Sequence, residues 1–70
     1  MKLKKEMFCG DLRISTEGEE MYMLIQPQTG VVTDIYYTNA TIQQVATFMT
    51  KAKAMYNKFM LSKEAERFKY

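Results

Sequence analysis

The 70-residue sequence has no histidine, no tryptophan, one cysteine, one proline and three glycines. Without histidine, the Ser–His and Cys–His arrangements that activate a nucleophile cannot be assembled, so a non-enzymatic role is expected. One thiol, Cys9, permits neither an internal disulfide nor a tetrahedral zinc site of Cys and His ligands. No metal and no cofactor are expected, and a reducing, cytoplasmic setting fits best. No window approaches the roughly 18 apolar residues of a membrane span. The basic opening MKLKKEMFCGDL lacks the apolar run of a signal peptide, so the expectation is a soluble, unexported chain with no membrane contact.

The scarce residues also exclude common ligand loops. Gly10, Gly18 and Gly30 are too scattered to cradle a phosphate, and each serves a strand or a turn. The carboxylates Asp11, Glu17, Glu19 and Glu20 lack the spacing of an EF-hand loop and read as a solvated hairpin tip. Cys9, next to Gly10 at the start of a strand, reads as a small packed side chain rather than a reactive thiol.

What is present suits a single small globular domain over residues 1–70: the chain is 47% apolar, with 13% aromatics and seven methionines. A chain of this length buries only about 60% of its unfolded surface, so alone it is marginal. The formal charge of +2 conceals an asymmetry, with four basic and six acidic residues up to position 40 and six basic and two acidic after it.

From Phe8 to Thr16, Leu12 and Ile14 alternate with Asp11, Arg13 and Ser15, the period-two pattern of a half-buried strand. Glu17-Gly18 offers a two-residue turn with Gly18 at positive φ, and alternation resumes at Met21. Pro27-Gln28-Thr29-Gly30 is the clearest turn, with proline presetting φ and glycine closing. A third strand follows, and Thr41 with Gln44 three residues on forms a capping box for a helix. Ile42, Val45, Met49, Ala52, Tyr56 and Phe59, widened by Phe48 and Met55, make the stripe of an amphipathic helix. The expected fold is α+β: a three-stranded antiparallel meander followed by one long C-terminal helix, β-β-β-α.

Turn positions fix register, and register fixes faces. Leu12, Ile14, Met21, Met23, Ile25, Val32 and Tyr36 are expected to share the core side, with Ile14 opposite Met21 and Tyr36 opposite Met21 on the other flank. The other side then carries Tyr22, Leu24, Val31, Ile35 and Tyr37, more apolar area than an exposed face ordinarily shows. One helix covers one side only. Burying a Leu-sized side chain is worth about 1.5–3 kcal/mol, so a partner on the open side would stabilise so small a domain substantially.

Leu61, Ala65 and Phe68 fall on nearly the opposite side of the helix from the main stripe, so one straight helix cannot bury both. Either the helix breaks near Ser62 or the tail reaches a second chain. The expected contact surface is therefore Tyr22, Leu24, Val31, Ile35 and Tyr37 with Leu61, Phe68 and Tyr70. It would serve self-association, a homodimer first, or inhibition of a protein partner. The competing expectation is a nucleic-acid binder that neutralises phosphates with Lys51, Lys53, Lys58, Lys63 and Arg67. Lysines toward a helix C-terminus also complement its dipole, which accounts for them without a ligand.

Overall fold

The computed structural model describes residues 1–68, with the side chains of Glu64, Arg67 and Phe68 outside the described set. Four strands run in sequence order, β1 (Leu3–Phe8), β2 (Asp11–Thr16), β3 (Met21–Ile25) and β4 (Val32–Tyr37), in one antiparallel meander. Helix α1 (Ile42–Met60) and a 3₁₀ helix (Lys63–Phe68) follow. The α+β meander with a C-terminal helix is as expected, with one more strand than the sequence suggested.

The added strand is β1. Its inward row is Leu3, Lys5 and Met7, opposite Thr16, Ile14 and Leu12. Lysine in that row hides the alternation. Lys5 is accommodated because its ammonium sits 5.6 Å from the centre of the Phe59 ring, at the margin of the core. A two-residue loop, Cys9-Gly10, with φ of 51° and 87°, closes the hairpin in the manner of a type I′ turn. Cys9 is therefore an exposed residue at a hairpin tip, not a packed side chain at a strand start.

The β2–β3 turn is longer than two residues. Glu19 N–H donates to the Thr16 carbonyl at 3.0 Å, and Glu19, not Gly18, takes the positive φ. Lengthening the loop by two residues slides the register by two, so Ile14 faces Met23 and Leu12 faces Ile25. An even slide leaves each side chain on its expected face.

At β3–β4 the change of register is odd. Ile25 pairs with Val32 as expected, but Leu24 pairs with Asp34, so Thr33 is an inserted bulge residue. The Thr33 hydroxyl lies 3.3 Å from the Leu24 carbonyl and 3.2 Å from the Asp11 carboxylate and can donate to either. Beyond the bulge Met23 faces Ile35 and Met21 faces Tyr37. This moves Ile35 and Tyr37 to the helix side and Tyr36 to the open side, the reverse of the expectation.

The core lies between the sheet and α1: Leu12, Ile14, Met21, Met23 and Ile25 pack against Phe48, Ala52, Phe59 and Ala65. The capping box forms as read from the sequence. Thr41 Oγ1 accepts from Gln44 N–H at 3.1 Å, and Gln44 Oε1 accepts from Thr41 N–H at 2.9 Å. The helix ends at Met60, the first of the two alternatives that the sequence left open, with Ser62 Oγ donating to the Phe59 carbonyl at 2.6 Å. That bond diverts the chain into the 3₁₀ helix and returns Ala65 to the core.

Candidate functional site

Helix α1 does not lie centrally on the sheet. Every residue of β4 is exposed, whereas β2 and β3 bury their helix-side rows. The buried centre of the helix is Phe48, Ala52 and Phe59. At about 100° per residue, Ile42, Met49 and Lys53 then stand on the flank toward β4, and Lys51 and Lys58 on the flank toward β1. Two facts confirm this. Lys51 Nζ donates to the Met1 carbonyl at 3.2 Å. Met49, Lys53 and Tyr56 line a depression with Val32 of β4.

A second depression, lined by Tyr37, Ala40, Ile42, Val45, Ala46 and Met49, adjoins the first at Met49. Together they form an apolar seam along the helix side of β4. It is lined by Val32 (47% exposed) and Tyr37 (53%) on the strand and by Met49 (46%) and Ile42 (89%) on the helix; Ile35 (37%), paired with Met23, stands on the same side of β4 between Val32 and Tyr37 without lining either depression. Among the described residues, five of the ten large exposed apolar side chains therefore stand on this side of β4 or on the helix flank that faces it. At one end the seam is anchored by the Tyr56 hydroxyl, which donates to the Pro27 carbonyl at 3.0 Å.

The opposite sheet face is already engaged with itself. Arg13 donates to Glu6 at 2.9 Å and to Glu19 at 2.8 Å, and its guanidinium lies 4.8 Å from the centre of the Tyr22 ring. Tyr22 stacks on Tyr36 with centroids 5.2 Å apart. The carboxylates hold the Arg13 guanidinium above its ordinary pKa, Glu19 contributing most and burial opposing. Glu19 is in turn held below the usual carboxylate range, chiefly by its bond from Arg13 and secondarily by Lys4.

The expected contact residues are thus divided. Tyr22 and Leu24 are on the open face, half-buried, with Tyr22 held between Arg13 and Tyr36. Ile35 and Tyr37 lie across the sheet from them, Tyr37 lining the second depression and Ile35 on the same side of β4. Val31 stands exposed in the loop before β4 and lines neither depression. Leu61 is exposed at the helix C-cap. The Phe68 side chain and Tyr70 fall outside the described residues.

Of the basic candidates, Lys51, Lys58 and Lys63 are exposed, Lys53 borders the seam on the other flank, and the Arg67 side chain is not among those described. Sequence reasoning missed Val32, Ile42 and Met49 as surface residues because it assigned all three to the core. The available signal was the width of the helix stripe, which exceeds what a single sheet contact can bury.

Among the described residues, no group of three or more His, Cys, Asp or Glu is placed to hold a metal ion. No described helix is long and apolar enough to cross a membrane. Compared with protein-family models, curated proteins and solved structures, the chain matches none.

Proposed function

We propose that this chain is a small non-enzymatic interaction protein that works by binding another polypeptide chain, and that the contact is the seam between β4 and α1. The reading is carried by Val32, Tyr37, Ile42 and Met49 lining two adjoining depressions, with Ile35 exposed on the same side of β4. Apolar side chains gathered beside an open strand edge offer an incoming chain both hydrophobic burial and main-chain hydrogen bonds. This replaces the open sheet face as the docking surface, because that face is occupied by its own Arg13–Tyr22–Tyr36 ladder. A cytoplasmic setting belongs to the same proposal, in keeping with the free, exposed Cys9.

The test compares wild type with the Ile35→Lys, Tyr37→Glu double variant. Both are measured by sedimentation in buffer and by chemical cross-linking in the cells that make the chain. Both side chains are exposed, so the double variant keeps the wild-type circular dichroism. The proposal expects a complex with wild type, of whatever composition, that the variant loses. A wild-type chain monomeric in both settings, or a complex indifferent to the variant, overturns it.

A second reading keeps nucleic acid as the ligand. It is favoured by Lys5 standing beside Lys58 at the β1 flank of the helix, the flank that also carries Lys51. Phosphate-driven binding weakens steeply with salt, whereas apolar association does not. Anisotropy of a labelled oligonucleotide should therefore fall with rising salt and with Lys51→Glu plus Lys58→Glu. No binding at low salt removes this reading.

A further inference from the structure

The two edges of the sheet differ in kind. The β1 edge carries Lys4 and Lys5 in the strand and Lys2 just before it, charges that discourage strand addition. The β4 edge, Val-Thr-Asp-Ile-Tyr-Tyr, has no lysine and no proline, and its one charge is Asp34. An edge of this composition is a template for another strand.

Its free hydrogen-bonding groups can be placed. Thr38 N–H donates to the Glu20 carbonyl at 3.1 Å, so position 38 points its backbone toward β3. In an antiparallel ladder that direction alternates, so Tyr36 and Asp34 also bond inward, opposite Tyr22 and Leu24. Ile35 and Tyr37 then aim their N–H and C=O groups away from the sheet. Both carry their side chains on the helix side of β4, where Tyr37 lines the seam.

We infer that the occupant of the seam is a second copy of this chain, joined by antiparallel pairing of β4 with its counterpart about a twofold axis at Tyr36. The inference rests on the proposed function and names its partner. In this register Ile35 of each copy pairs with Tyr37 of the other, giving four main-chain hydrogen bonds from groups otherwise left to water.

A twofold perpendicular to the sheet keeps both helices on one side, so Ile35, Tyr37, Ile42 and Met49 of both copies close over a shared apolar trough. Charge selects this register over one centred on Ile35. With the axis at Tyr36 the two Asp34 residues are four positions apart along the strands, roughly 14 Å. With the axis at Ile35 they are two positions apart, roughly 8 Å, within the Debye length of physiological salt. The Ile35-centred register also makes only two hydrogen bonds at its centre and runs Tyr37 against the bulge at Thr33. Pairing of two β1 edges would set lysines against lysines.

The area agrees with a reversible dimer. The seam residues together present several hundred Å² per copy, so a symmetric contact buries on the order of 1,000 Å², the low end for a specific interface. Weak, reversible association is the corresponding expectation.

The test uses the full chain in a Cys9→Asn background, which leaves no native thiol. Sedimentation of the background protein should show a concentration-dependent shift from the 8.2 kDa chain to twice that mass. Ile35→Lys should raise the dissociation constant at least tenfold with an unchanged circular dichroism spectrum. Adding Tyr36→Cys places two thiols across the axis as a non-hydrogen-bonded pair, about 4.5 Å between Cα atoms, close enough for a disulfide. Mild oxidation should give a covalent dimer from Tyr36→Cys and little from Ile35→Cys.

The opposite cross-linking preference overturns the register. A chain monomeric at millimolar concentration overturns self-pairing. If cross-linking in cells then still captures a different protein, and the seam variant loses it, the proposed function stands without this partner. A dimer that survives Ile35→Lys undiminished overturns both.

Discussion

The Tyr56 hydroxyl, held at 3.0 Å on the Pro27 carbonyl, ties the helix to the loop that launches β4. Gly30 closes that loop at φ +75°, and a Cβ added there would stand 3.2 Å from the same hydroxyl. Tyr56→Phe removes one partly buried hydrogen bond, a loss of about 0.5–1.5 kcal/mol. Gly30→Ala forces a left-handed backbone on a residue with a side chain, about 1–2 kcal/mol, and adds crowding against the Tyr56 oxygen.

In the Tyr56→Phe background that crowding is relieved while the backbone cost remains. The double variant should therefore lose less than the two single variants together, by about 0.5 kcal/mol. Urea unfolding at one fixed protein concentration is the assay. With a slope near 1 kcal/mol/M for so small a domain, Tyr56→Phe should lower the midpoint by about 1 M. Gly30→Ala should lower it by about 1–2 M on the same slope. Additive losses, or a midpoint unmoved by Tyr56→Phe, would refute the clamp and the anchoring of the seam's end.

Further predictions concern the supports of the fold. Thr41→Ala removes the capping box and should cost about 1 kcal/mol by urea unfolding. It should leave the sedimentation of the native protein unchanged, since the cap takes no part in the strand edge. Cys9→Asn gives the Asn-Gly pair that a type I′ turn prefers, and should raise the thermal midpoint by a few degrees; a fall in the midpoint would argue against the positive φ at Cys9. Glu19 is held below its ordinary value of 4.5 by Arg13 and then Lys4. Its stabilising contribution is full above that value and is lost as pH falls through the lowered folded value. Glu19→Gln should therefore flatten the stability profile below about pH 4.5, and an unchanged acid limb would contradict the ion pair.

Much of the fold was legible because local signals agreed with the final packing. The Thr41–Gln44 box and the Pro27–Gly30 turn rest on residues that act within four positions of themselves, as does the break at Ser62, which the sequence offered as one of two alternatives. β1 escaped notice because Lys5 occupies an inward position, which is tolerable only beside Phe59 in the assembled core. The residues expected to share one face are divided by a single residue, the bulge at Thr33, which reverses the faces of Ile35 and Tyr37. Nothing in the local run VVTDIYY announces that insertion. The seam itself depends on where α1 rests on the sheet, a tertiary choice that leaves Ile42 and Met49 outside although they share the helical stripe.

Amide hydrogen exchange along β4, followed from micromolar to millimolar protein, addresses the open edge most directly. Asp34 and Tyr36, bonded to β3, should be protected throughout, while Ile35 and Tyr37 should exchange freely when dilute and become protected as the concentration rises. Rapid exchange of Ile35 and Tyr37 at every concentration, or their protection in the dilute chain, would contradict it.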